Sequence, residues 1–221
     1  MKIIFMKYFT IIVTLLFFSC GKKEDVLLPK SNVTIVKNVQ DLSPIYIFFK
    51  VEGKDTIAEV NRKSSIISTN WIFNIDKRLP LKLVIPEIMK LQKKKRADSA
   101  HKNENAENYY SYADSVGKNL AFLPFTKVYY KIENVSKNTS QLYFRKNGMI
   151  EYRGRKTYDF LKDNLKPFLD SLIINPKAEI VFSYDKKMTY EDYIQCKILV
   201  KTIVAKKIPF VFISEEKEYI Y

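Results

Sequence analysis

Trp71-Ile72-Phe73-Asn74-Ile75-Asp76-Lys77-Arg78-Leu79-Pro80-Leu81 is a short apolar run that ends at Asp-Lys and passes into helical spacing. A buried strand has this signature, because a strand covered on both faces loses the usual alternation with polar residues. Ile180-Val181-Phe182-Ser183-Tyr184-Asp185-Lys186-Lys187-Met188-Thr189-Tyr190 repeats the grammar, with Asp185-Lys186 falling on Asp76-Lys77. In both places a helix begins at the same offset. Strand–turn–helix units converge on such a composition, so duplication and convergence both explain the likeness.

Working outward from the first stretch, Ile45 to Val51 and Thr56 to Val60 flank Glu52-Gly53-Lys54-Asp55, a hairpin signal. Leu81 to Arg96 carries apolar residues at 81, 84, 85, 88 and 91, with Pro86 placed to kink or restart the helix. Residues 97–118 are polar and read as a surface insert, and Leu120 to Ile132 reads as a strand region. In the second half, Leu142 to Phe144 and Met149 to Tyr152 flank Asn147-Gly148, a strong hairpin signal. Tyr158, Leu161, Leu165, Phe168, Leu169 and Leu172 fall on one helical face. Ala178 to Tyr184 is a strand, Thr189 caps a helix running to Lys206 with Asp192 at its third position, and Ile208 to Ile213 closes as a strand. Later, Leu123-Pro124-Phe125 resembles Ile208-Pro209-Phe210. The expected fold is α+β: two related small units from an internal duplication, each a mixed β-sheet with helices packed on one face. The first spans 43–132 and the second 140–221.

The amino end has the layout of an export signal. Lys2 and Lys7 supply positive charge, and Tyr8 to Phe18 supply an apolar stretch. That stretch spans roughly 16 Å as a helix, against a hydrocarbon core of roughly 30 Å. Leu16-Phe17-Phe18-Ser19-Cys20-Gly21 resembles a lipobox, with cleavage between Ser19 and Cys20 and acylation of the Cys20 thiol. Phe17 stands where leucine is usual. An ordinary secretory signal or an uncleaved anchor is the alternative. Residues 1–19 are thus expected to be a lipoprotein signal peptide, and 20–42 a flexible tether. Lys23-Glu24-Asp25 resembles the surface-export tag of some Gram-negative lipoproteins. These features imply a protein held by lipid at a membrane, with the outer membrane expected and the periplasmic or external side left open. With Cys20 acylated, Cys196 has no partner for an intrachain disulfide, and its place in an apolar helical pattern suits a buried thiol.

The formal charge is +14, and Lys93-Lys94-Lys95-Arg96 is its one dense focus. A solvated helix end explains that run, and no nucleic-acid module accompanies it. His101 is the single histidine, and no HExxH, CxxC, EF-hand or phosphate-loop pattern is present, so neither a metal nor a cofactor is expected. The carboxylate pairs Glu191-Asp192 and Glu215-Glu216 are adjacent and do not converge on one substrate. Tyr109-Tyr110-Ser111-Tyr112 stands in polar surroundings, either to stack on a sugar or partner or to lie over the rim of the core. Glu218-Tyr219-Ile220-Tyr221 alternates as an edge strand would, which offers a homodimer through edge pairing.

Leu142 to Ile213 resembles the periplasmic domain of the ExbD/TolR family. Asn147-Gly148 before Ile150 and Tyr152, Gly154 before the helix, and Asp185-Lys186 with Tyr190 carry the resemblance, which covers about a third of the chain. Lys206-Lys207 stands where the family usually turns on glycine. The likeness implies that fold and contact with peptidoglycan or envelope proteins. It does not carry over proton conduction, because Ile3 to Phe18 contains no acidic residue. The expected function is non-enzymatic binding or scaffolding in the cell envelope, linked to ExbD/TolR-type transport machinery or to peptidoglycan. A surface-exposed glycan or protein binder and an envelope glycan hydrolase are the alternatives.

Overall fold

The computed structural model describes residues 25–97, 103–171, 179–204 and 212–221. Ser19, Cys20, Lys23, Glu24 and His101 therefore lie outside the described residues, and Asp25 alone of the export-tag triplet lies within them. The fold is α+β, and the described residues form two six-stranded mixed sheets and three α-helices.

The first sheet contains β1 (Lys30–Ser31), β2 (Leu42–Glu52), β3 (Asp55–Asn61), β4 (Asn70–Ile75), β5 (Asn108–Asp114) and β6 (Asn119–Pro124). Its strands run β3-β2-β4-β5, with β6 antiparallel along one edge of β5 and the short β1 parallel to its end. The second sheet runs β10-β9-β8-β11-β12-β7. Its members are β7 (Tyr129–Lys131), β8 (Ser140–Phe144), β9 (Met149–Arg153), β10 (Thr157–Leu161), β11 (Glu179–Tyr184) and β12 (Phe212–Ile220). Each sheet thus contains an antiparallel hairpin, a parallel strand beside it, a helical crossover and a second parallel strand. The crossovers contain α1 (Leu81–Ala97) and α3 (Tyr190–Val204), while α2 (Leu165–Ser171) follows a single 3-10 turn after β10. Both hairpins turn on glycines with positive φ, Gly53 at 62° and Gly148 at 84°, a backbone region open to glycine without a Cβ penalty. Ile45 pairs with Phe73 in one sheet and Leu142 with Phe182 in the other, the same strand partners 109 positions apart at Phe73 and Phe182.

The turns at Asp76-Lys77 and Asp185-Lys186 make the same local structure. Asp76 Oδ1 accepts the Arg78 N–H at 3.0 Å, and Asp185 Oδ1 accepts the Lys187 N–H at 2.8 Å. They also pair with each other. The Leu81 N–H donates to the Met188 carbonyl (3.0 Å) and the Tyr190 N–H to Leu79 (2.8 Å). The Lys82 N–H donates to Lys186 (2.9 Å) and the Glu191 N–H to Lys77 (3.1 Å), and Pro80 bridges Thr189 antiparallel. Every bond has its counterpart 109 residues away, the reciprocity of an isologous contact. Thr189 caps α3 as expected, its hydroxyl accepting the Asp192 N–H (3.2 Å) and bonding the Asp192 carboxylate (2.7 Å).

A single apolar core joins both halves, from Ile45 and Trp71 through Leu142 and Phe182 to Ile220. Tyr193 of α3 packs edge-on against Tyr110 of the first sheet and Tyr184 of the second. A hydrogen-bonded ladder threads the seam: Tyr110 Oη to Tyr130 Oη (2.5 Å), Tyr130 to Tyr193 (3.1 Å), and Tyr193 to Glu218 Oε2 (2.7 Å), with Lys197 paired to Glu218 Oε1. Each phenol has one proton. Once Tyr193 donates to the carboxylate, Tyr130 must donate to Tyr193 and Tyr110 to Tyr130. Burial pushes all three phenols well above their ordinary pKa, so they stay protonated.

Several expectations are corrected. The segment read as a polar insert, 97–118, contains β5, an inner strand between β4 and β6. Two polar residues of that strand are satisfied within the fold: Ser111 Oγ donates to Asn74 Oδ1 (2.8 Å), and Asp114 accepts the N–H groups of Val116 and Gly117. The strand region 120–132 splits, because β6 stays in the first sheet while β7 crosses to pair with β12. The segment 20–42 does not behave as a loose tether from Asp25 onward. Leu27 N–H bonds Asp76 Oδ2 (3.2 Å), Lys77 N–H bonds the Leu27 carbonyl (2.8 Å), and β1 joins the sheet. The helical face expected from Tyr158 to Leu172 is strand up to Leu161, because β10 folds back on β9 and brings Tyr158 and Phe160 against Phe168 of α2. Glu218-Tyr219 lies between β11 and β7, so these residues are not the edge strand that their alternation suggests. Helix α1 runs through Pro86 unbroken. The start of the closing strand, 208–211, lies outside the described residues.

Candidate functional site

The basic run at the end of α1 divides by face. Lys93, Lys94 and Arg96 are exposed, whereas Lys95 is buried. Its ammonium donates to the carbonyls of Thr69 (3.0 Å) and Glu107 (3.1 Å) and to Asn108 Oδ1 (3.1 Å), and lies 5.0 Å from the centre of the Trp71 ring. Three donors meet three acceptors, so Lys95 ties the entries of β4 and β5 to the helix. Burial pushes its pKa down to about 8, with the Glu107 charge opposing.

Arg96 turns the other way. Its Nη2 donates to the carbonyls of Thr126 (2.9 Å) and Val128 (3.2 Å), and its guanidinium sits 4.0 Å from the centre of the Tyr129 ring. Such stacking leaves the ring fixed and the charge partly open. Gln92 Nε2 reaches the carbonyls of Val128 (3.2 Å) and Phe125 (3.5 Å), fixing the chain just before β7.

Between α1 and β7 lies a cleft of about 650 Å³. Pro86, Met89, Ala97, Tyr130 and Ile132 make its apolar surface, and Lys90, Lys93 and Arg96 its basic rim. Tyr129 and Ile132 are 53% and 56% exposed, a large apolar presentation for two residues three positions apart. A second hollow of about 330 Å³ shares Arg96 and Tyr129 and adds Lys127, Asn103 and Glu104. The stacked Arg96–Tyr129 pair is therefore the wall common to both. This arrangement suits a small ligand with carboxylates for the rim and methyl or ring surface for the floor.

The other sequence candidates are not brought to a surface. Tyr110 and Tyr112 are fully buried, so the expectation of a binding patch at Tyr109, Tyr110 and Tyr112 is corrected. Strand alternation points the even-numbered pair into the core, where Tyr110 stacks on Phe125 at 3.7 Å and Tyr112 Oη donates to the Val33 carbonyl at 2.9 Å. Tyr109 is half-buried and donates to Glu107 Oε2 (2.6 Å); burial and that carboxylate raise its pKa to about 12. Cys196 is fully buried, and burial lifts its thiol to about 11. Sequence reasoning missed Tyr129, Ile132 and Met89. The alternation of Tyr129-Tyr130-Lys131-Ile132 was the available signal, but nothing local reveals that α1 lies alongside. Among the described residues, no group of three or more His, Cys, Asp or Glu side chains could hold a metal, and no helix is long and apolar enough to cross a membrane. Comparisons with protein families, with curated proteins and with solved structures give no match for this chain.

Proposed function

We propose that the protein is a lipoprotein, anchored through Cys20 in the outer membrane, that binds rather than transforms its ligand: it holds the peptide stems of peptidoglycan in the cleft between α1 and β7. The carrying observation is the join of an apolar floor to a basic rim around the stacked Arg96–Tyr129 pair. Stem peptides are short and bear both carboxylates and small apolar side chains. A hollow of about 650 Å³ suits such a ligand, whereas a stable contact with a folded protein buries roughly 800 Å² on each partner. The likeness of Leu142 to Ile213 to ExbD/TolR periplasmic domains supports a place in envelope machinery without a proton-carrying role.

The two halves are, on this reading, copies of one ancestral unit. The shared hairpin–strand–helix–strand order and the bonds that recur 109 residues apart favour common descent over convergence, because convergence has no reason to preserve the partner of each hydrogen bond.

The test pairs localisation with binding. The parent should incorporate labelled palmitate and Cys20→Ser should not. Purified peptidoglycan should retain the parent, and Arg96→Glu with Tyr129→Ser should weaken retention at least about tenfold, the loss of one charge-assisted contact. Unchanged retention by the double variant removes the cleft from the proposal. Capture of envelope proteins instead, dependent on the same two residues, makes the ligand a protein segment.

A further inference from the structure

We infer that the joint of the two turns is the membrane-facing base of the molecule, apposed to acidic lipid headgroups, and that the Arg96–Tyr129 wall of the cleft lies at the far end of α1 from it. This rests on the lipid anchor at Cys20. Five residue steps separate Cys20 from Asp25, and a chain reaches at most about 3.6 Å per residue, so the anchor thiol lies within about 18 Å of Asp25. From there the chain is already docked: Leu27 bonds both ways with the turn at Asp76-Lys77, the element that pairs with Asp185-Lys186-Lys187. A long tether from 20 to 42 would have let the body tumble. The docking of Leu27 shortens the free reach to about 18 Å, well under the roughly 40 Å width of a compact body of this size, and so selects one face.

The chemistry of that face fits. Arg78, Lys82, Lys186 and Lys187 are exposed around Leu27, itself 46% exposed. The carboxylates of the joint are each engaged: Asp76 is buried and paired with Arg78, half-buried Glu191 is paired with Lys77, and half-buried Asp185 accepts the Lys187 N–H. Asp25 is the exposed acid. An apolar leucine amid outward amines suits an interface whose surface is anionic and whose interior is apolar. Helix α1 starts at the joint and carries Arg96 about 22 Å further along its axis, so the cleft runs from Pro86 to its Arg96–Tyr129 wall at the end of the helix away from the bilayer.

The design of the test follows from the thiols. Cys20 is acylated and Cys196 buried, so one introduced cysteine takes a fluorophore selectively. The full lipidated protein is reconstituted into phosphatidylcholine vesicles with phosphatidylglycerol and a nitroxide on the lipid headgroup. A label at Lys82→Cys should be strongly quenched and one at Lys127→Cys, beside the cleft, should not. Lys186→Glu with Lys187→Glu should reduce quenching at position 82, since each lysine near an acidic surface favours the apposed state by about fivefold. Equal quenching at both positions in protein that floats with the vesicles overturns the orientation while leaving the anchor intact. Quenching at 82 that ignores the charge reversals overturns the headgroup contact. Failure to float removes the anchor and this inference with it.

Discussion

Tyr190 and Tyr193 lie three residues apart on α3, both fully buried, yet removal of one hydroxyl from each should have opposite effects. The Tyr193 hydroxyl donates to Glu218 Oε2 at 2.7 Å and receives Tyr130 at 3.1 Å. Tyr193→Phe leaves a buried carboxylate supported by Lys197 alone and a Tyr130 proton without an acceptor on that side. Hydrogen bonds to charged groups contribute about 1.5–3 kcal/mol, so a loss of about 2–3 kcal/mol is expected. Tyr190 Oη, by contrast, has no hydrogen-bond partner. An unsatisfied buried hydroxyl costs about 1–3 kcal/mol, so Tyr190→Phe should be neutral or stabilise by about 1 kcal/mol once the ring's surroundings are held constant. For a chain of this size 1 kcal/mol moves the melting temperature by about 2–4 °C. Tyr193→Phe should therefore melt about 4–12 °C below the parent, and Tyr190→Phe at or slightly above it. Urea titrations with equal m-values would establish that folded-state stability is what changed. Equal destabilisation by both substitutions would refute the ladder as the element that joins the halves.

Asp76→Asn should destabilise by about 1–3 kcal/mol at neutral pH, since the carboxylate takes two bonds from the Arg78 guanidinium and one from the Leu27 N–H. Burial pushes this carboxyl up, but the Arg78 side chain and the two backbone N–H groups outweigh it and hold its pKa below 3.8. Its stabilisation is thus complete above 3.8 and decays as pH falls through the lower folded value, so the gap between parent and variant, followed by denaturant titration, should close on acidification and not on raising pH. Cys196 should resist iodoacetamide in the folded protein at pH 8 and react fully in urea, because a thiol near 11 is neutral there and has no access to solvent; rapid native alkylation would contradict its burial.

Local patterns were enough for the elements whose instructions are local. The glycine turns at 53 and 148, the Thr189 cap and the strand–Asp–helix turns at 76 and 185 are set by residues within a few positions, and each forms where the sequence predicts. The pattern misled wherever the partner was distant. Tyr109-Tyr110-Ser111-Tyr112 looks like surface because Ser111 and the flanking asparagines are polar, and only the neighbouring strand supplies Asn74 to satisfy the serine. Tyr158 to Leu172 has helical spacing, yet pairing with β9 offers residues 157–161 a ladder that the isolated periodicity does not weigh. The same limit explains why the basic run concealed two roles. Helical spacing places Lys95 and Arg96 on different faces, but the carbonyls that receive Lys95 belong to Thr69 and Glu107, and the ring under Arg96 belongs to β7.

What the chain determined by itself is the set of short-range structures and the existence of two similar halves, because turn geometry, capping and strand composition depend on contacts within a few residues. The tertiary structure alone decided that β7 crosses between sheets, that the seam is closed by a carboxylate-terminated row of phenols, and that a cleft opens beside α1. Those features require side chains brought together across tens of residues, and their free energy comes from burial and pairing that exist only once both halves have closed on one core.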